Sequence, residues 1–253
     1  MSEMAKVHAC YLNKRQTIEI VGNYFQSESV SYGFRFSEMV RQRKIDFDYR
    51  YSSHFDHRRK KVFVEYTRTL DDPFALTHES KHFMNYLPKK SFQETIFSET
   101  STILSELRLG EYLKQTSLKD ATKLQIKNIL YDNYTSIEDL KKDLKGVRIK
   151  DYDPNEVNLR IKYLIGLLLS IYINRPVKLG NITTNGYEKI RDHLENMPLS
   201  QLAYILDIDI NLDNDVLNIS EGGLLKLEDN YKLEMSSVFR KEDKCYEKCR
   251  NCS

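Results

Sequence analysis

The longest apolar run in the chain, YLIGLLLSIYI at residues 163–173, constrains how the rest can fold. A membrane-spanning helix needs about 20 such residues, and Arg160, Lys162 and Arg175 bracket this one. Its apolar side chains go nearly all the way round, so it belongs at the centre of a helical bundle. Asp153 and Pro154 open it, an acidic cap followed by a residue that needs no N–H in the first turn.

Partners for that helix begin after residue 70, where the period of the apolar residues becomes helical. Asp72 is a good N-cap and Pro73 fits the first helical position, which predicts a helix to about Leu87, before Pro88. Ser91 with Glu94 forms a capping box for a long helix carrying Phe92, Ile96, Ile103, Leu104 and Leu107. Ser117 with Asp120 and Ser136 with Asp139 start two more, and Gly146 ends the second.

Upstream the pattern differs. TIEIVGNYF, SYGFRF, KIDFDYRY and KKVFVEYTRTL, within residues 17–70, are rich in β-branched and aromatic residues and read as antiparallel strands. In the third, Ile45, Phe47, Tyr49 and Tyr51 alternate with Asp46, Asp48 and Arg50, as one buried face requires. The polar stretch SSHFDHRRKK then reads as the hairpin tip joining the third and fourth strands. The expected fold is α+β, in three parts: a basic antiparallel β region with its following helix (1–90), a helical bundle (91–180) and a C-terminal module (181–253).

The last part, from Thr184 to about residue 236, resembles the winged-helix family. NGYEKIRDHLEN and MPLSQLAYILDID read as its first two helices, Leu202 and Ala203 stand where helices cross, and GGLLKLEDNYKLEM leads into a two-stranded wing. The DNA-binding version reads the major groove with its third helix. Here that region carries Asp207, Asp209, Asp213, Asp215 and Glu221, which would repel phosphates, so the resemblance implies a module that docks a protein.

The formal charge of +2 hides an asymmetry: residues 1–90 carry +5 and residues 91–253 carry −3, so polyanion contact is more plausible for the first part. The N-terminus has no apolar signal segment, and a cytoplasmic protein that does not enter a membrane is expected. With nine Gly, none of them in a phosphate-cradling or dinucleotide-binding motif, nucleotide-driven chemistry is disfavoured.

Three groups of residues could carry chemistry. His78-Glu79-Ser80-Lys81-His82 has the form H-E-x-x-H. On a helix, residues four apart share a face, so His78 and His82 could both offer a nitrogen to one Zn²⁺, with Glu79 as general base. This resembles the zincin metalloprotease motif, which implies a third ligand from a downstream carboxylate such as Glu99 or Glu106. Lys81 puts an ammonium on the same turn, where burial is costly. The alternative is an amphipathic helix with two surface histidines. Next, Cys245, Cys249 and Cys252 offer three thiolates for zinc, with Cys10 or a histidine as fourth ligand. Their spacing is similar to the radical SAM cluster motif, which however opens a long β/α barrel. Finally, Arg58, Arg59, Lys60 and Lys61 make a basic tip suited to the phosphate backbone of DNA or RNA.

Two weaker patterns fail on their own residues. Asp56 and Glu65 resemble the acidic pair of restriction-type nucleases, but Thr67 stands where a lysine is needed. DIDINLDND resembles a calcium loop with Asn214 and Ser220 where glycine and glutamate belong.

On these residues the expectation is a non-enzymatic accessory subunit of a cytoplasmic assembly. It would dock a protein through Asp207, Asp209, Asp213 and Asp215, with nucleic acid as a further partner. The rival readings are a zinc metallohydrolase built on His78, Glu79 and His82, and a DNA-binding regulator.

Overall fold

The computed structural model describes the backbone of residues 11–86, 92–132, 157–178, 190, 194, 197–213 and 216–250. It is an α+β fold, mostly helical, with one mixed three-stranded sheet and a separate two-stranded ladder. Two compact units are formed, Met1–Lys90 with Ser101–Ile126, and Ser91–Thr100 with Lys127–Ser253. Among the described residues no helix is long and apolar enough to cross a membrane.

The first unit opens with two helices where strands were expected, α1 (Lys14–Glu28) and α2 (Val30–Arg41). Their β-branched and aromatic content misleads because strand propensity mostly measures fit to a half-buried surface. The buried residues of α1 are Thr17, Val21, Tyr24 and Phe25, a helical spacing. The local signals were the caps. The Asn13 side chain accepts the Gln16 N–H and the Gln16 side chain accepts the Asn13 N–H, both at 2.9 Å, a full capping box. Ser29 accepts the Tyr32 N–H at 3.1 Å and starts α2. The two helices pack closely at Gly33, where a Cβ would stand 2.9 Å from the Gln26 Cα.

The sheet that follows is β1 (Ile45–Asp48), β2 (His54–Asp56) and β3 (Lys61–Glu65), in the order β1-β3-β2. Here too the structure corrects the expectation. The hairpin joins β2 to β3, and β1 pairs with β3 in parallel, Ile45 opposite Val62 and Phe47 opposite Val64. Phe55, Val62 and Val64 are buried, and the register puts them on one face, the face that receives α3 (Asp71–Met84).

That helix runs over the expected stretch, but Asp72 lies inside its first turn and Leu70 takes the cap position. The Asp72 carboxylate instead holds the entry loop. It accepts the Thr67 N–H (2.9 Å), the Thr67 hydroxyl (2.7 Å) and the Arg68 N–H (3.1 Å), and burial pushes its pKa up against the effect of those bonds. Thr67, which breaks the nuclease pattern, is thus half of the clamp that aims α3. The two acidic residues of that pattern are also separated, Asp56 opposite Lys61 at one end of β3 and Glu65 at the other.

The next helix, α4 (Phe92–Leu113), is buried on every side from Ile96 to Ser105, although six of those ten residues are Ser, Thr or Glu. Two of its hydroxyls bond to the preceding turn, Thr100 donating to the Ile96 carbonyl (2.9 Å) and Ser105 to that of Ser101 (3.0 Å). The helix α5 (Lys119–Asp132) follows, and its Ile126 packs over Gly110. The Ser91–Glu94 box, the 136–146 helix and the Asp153-Pro154 start lie outside the residues whose structure or side chains are described.

In the second unit α6 (Val157–Lys178) carries the apolar run that the sequence places in a bundle centre. Ile165, Leu167, Leu168, Leu169, Ile171 and Ile173 are all buried. Gly166 lets it approach the chain at Glu99 and Thr100, and the Ser170 hydroxyl donates to the Thr100 carbonyl at 2.8 Å. The C-terminal module is α7 (Leu199–Leu206), the ladder β4 (Ile210–Asp213) with β5 (Val216–Ile219), and α8 (Glu221–Arg250). The stretch expected to form a wing is therefore the start of a 30-residue helix. Leu227 and Tyr231, four residues apart, are both buried, as a helical period requires, and Tyr231 donates to the Leu130 carbonyl.

Candidate metal centre

The H-E-x-x-H stretch lies on α3, and its two histidines meet. The Nε2 atoms of His78 and His82 are 3.1 Å apart, with the rings at 70°. Two imidazoles on a tetrahedral ion at about 2.0–2.1 Å per bond would place their nitrogens roughly 3.3–3.4 Å from each other. The helical i, i+4 spacing alone brings the two donor atoms to nearly that separation.

Lys81 is buried at 1% exposure, and its ammonium sits 3.6 Å from the centre of the Tyr32 ring. The aromatic face contributed by α2 supplies the compensation that buried charge needs. The ring offsets part of the cost noted in the sequence, and α3 buries that side while His78, Glu79 and His82 remain half-buried on another.

The carboxylates come from α4, a single helix on which Glu99 and Glu106 are seven residues apart and so share a face. One ligand atom each from His78, His82 and Glu99 all lie within 4.8 Å of one another, and this group could hold a metal ion. Glu99 is 3% exposed and His78 and His82 are half-buried, so the donor set is screened from bulk water. Glu106 takes the other side of the histidine, its Oε2 standing 3.4 Å from His78 Nδ1. A carboxylate beside the second ring nitrogen is the kind of partner that orients metal-binding histidines. The two Nε2 atoms are within hydrogen-bond distance of each other, with donor and acceptor set by the ring tautomers. Of the two carboxylates named from the sequence, Glu99 belongs to the group of three and Glu106 stands beside His78 Nδ1. Glu79 stands outside the ligand group, as a residue serving the attacking water would.

If the group takes a metal ion, we expect Glu106→Ala to weaken its binding by about 10–100-fold, and Glu106→Gln, which keeps an acceptor, by less. Competition titration against a chromophoric chelator measures both. An unchanged affinity in the alanine variant would show that Glu106 does not act through His78.

The other expected residues are placed differently. Cys245 and Cys249 lie on the last turns of α8, while Cys10 and Cys252 lie outside the described residues. Asp207 caps α7 in a left-handed conformation (φ 50°), and its carboxylate takes the Lys226 ammonium at 2.8 Å, which lowers its pKa. Asp209 is exposed, Asp213 ends β4 and Asp215 lies outside the described residues. In the basic tip, Asp56 accepts the Arg58 N–H (2.8 Å) and the Arg59 N–H (2.9 Å), which shapes the turn and lowers the Asp56 pKa. No protein-family model, curated protein or solved structure matches this chain.

Proposed function

We propose that the chain is a zinc-dependent hydrolase of the zincin type, with His78, His82 and Glu99 as ligands and Glu79 as general base. The observation that carries this reading is the convergence of the two Nε2 atoms with the Glu99 carboxylate, backed by Glu106 on His78 Nδ1. Two nitrogens and a carboxylate oxygen are a donor set suited to zinc, with a fourth position left for water or substrate. Zinc bound here would supply an acidified water and a Lewis acid for the scissile carbonyl. Glu79 would take the proton of the attacking water and return it to the leaving nitrogen, the work of a positioned carboxylate. Among the readings open at the sequence, this is the one whose residues the packing of α3 and α4 favours.

The test is elemental analysis of the purified chain, together with hydrolysis of fluorescein-labelled casein. One zinc per chain is expected, with casein cleavage that a chelator abolishes and added zinc restores. A chain that neither retains nor takes up zinc would overturn the reading.

A further inference from the structure

The parallel pairing of β1 with β3 has a consequence for charge. Both strands start at the same end of the sheet, so the turn before β1 and the hairpin tip before β3 are neighbours. Val62 N–H donates to the Lys44 carbonyl at 2.8 Å, which sets Lys44 beside Lys61. Had β1 and β3 been joined by an antiparallel hairpin, these segments would lie at opposite ends. As folded, Arg41, Arg43 and Lys44 join Arg58, Arg59, Lys60 and Lys61 on one edge.

Three of the seven cations are paired, Arg41 with Glu38 (2.6 Å), Arg59 with Asp56 (3.6 Å) and Lys61 with Asp46 (2.5 Å). The other four, Arg43, Lys44, Arg58 and Lys60, enter no ion pair among the described residues. Arg43 and Lys60 also hold left-handed backbone, φ 54° and 48°. Glycine or asparagine suits that conformation better, yet each turn carries a cation there. Adjacent unpaired cations repel one another, and an approaching polyanion relieves the repulsion.

We infer that this edge binds the phosphate backbone of duplex nucleic acid, without reading sequence. The choice of partner follows from what accompanies the charge. Residues 41–44 and 57–61 include no apolar side chain to anchor in a lipid surface. The one aromatic residue among them, His57, sets its ring against Phe55 (4.7 Å) and Tyr86 (5.2 Å) instead of offering a face on which unpaired bases could stack. The inference is independent of the metal centre.

The experiment is fluorescence anisotropy of a labelled 20-base-pair DNA duplex with the full chain, between 50 and 200 mM salt. Four phosphate contacts give a slope of about −3.6 in log K against log salt, so affinity should fall roughly 150-fold across that range. In the triple variant Arg43→Asn, Arg58→Gln, Lys60→Asn, the slope should flatten to about −0.9. Asparagine is used at the two left-handed positions so that the turns persist, which circular dichroism checks. His82→Ala should bind DNA as the wild type does, so loss of the metal reading leaves this one testable. An unchanged slope in the triple variant overturns the inference. So does absence of binding at 50 mM salt, or tighter binding to phosphatidylserine vesicles than to the duplex.

Discussion

A Glu79→Gln variant is expected to keep its zinc and to lose hydrolysis by about two to four orders of magnitude. The substitution preserves the size of the side chain and removes its ability to take a proton. Glu79 stands outside the His78, His82 and Glu99 group, so the affinity for the ion should be nearly unchanged. The measurement is the initial rate of casein cleavage by wild type and variant, each at one zinc per chain. An unchanged rate would leave the acid in H-E-x-x-H without a chemical role. The accessory-subunit reading would then be the better one.

The second large effect is on the metal itself. His82→Ala removes one donor from the group. Structural zinc sites are worth roughly 10–16 kcal/mol over four ligands, so an equal share is about 3 kcal/mol, or about 100-fold or more in affinity. The fold should persist, because His82 is half-buried and faces His78 rather than the sheet. The matching control is a chain truncated before Cys245, which should hold zinc as the full chain does. Zinc lost on truncation but kept in His82→Ala would instead assign it to Cys245, Cys249 and Cys252.

The legible part of the site was the part that a single helix decides. His78 and His82 are four residues apart, and any helix over them brings their rings to one face. Pro73 and the apolar period announced that helix. Glu99 and Glu106 could be named as candidates, but both are carboxylates on the same helical face. Spacing alone does not say that Glu99 is the one near both histidines and Glu106 the one beside His78 Nδ1. Lys81 shows the same limit, since its burial rests on the Tyr32 ring, 49 residues away in the chain.

In the fold, the apolar run of α6 is buried from Ile165 to Ile171, as its all-round apolar character implies, while Tyr163 at its start is exposed. In α4 the apolar residues mark only part of a stretch that is buried throughout from Ile96 to Ser105, where Thr100 and Ser105 turn their hydroxyls back to their own helix. α1 and α2 read as strands because aromatic and β-branched residues satisfy either period over a short window, whereas the Asn13–Gln16 capping box marks a helix start.

By itself the sequence determined the helix of the candidate site, the residues able to serve it, and the buried centre of the second unit. Each depends on spacing along one element, which the helical period converts directly into geometry. Only the tertiary structure decided which carboxylate stands near both histidines and which beside His78 Nδ1, the placing of Lys81 against the Tyr32 ring, and the parallel pairing that sets Lys44 beside Lys61. Those are contacts between elements distant in the chain, chosen by shape and charge complementarity across the packed faces, and no local period records them.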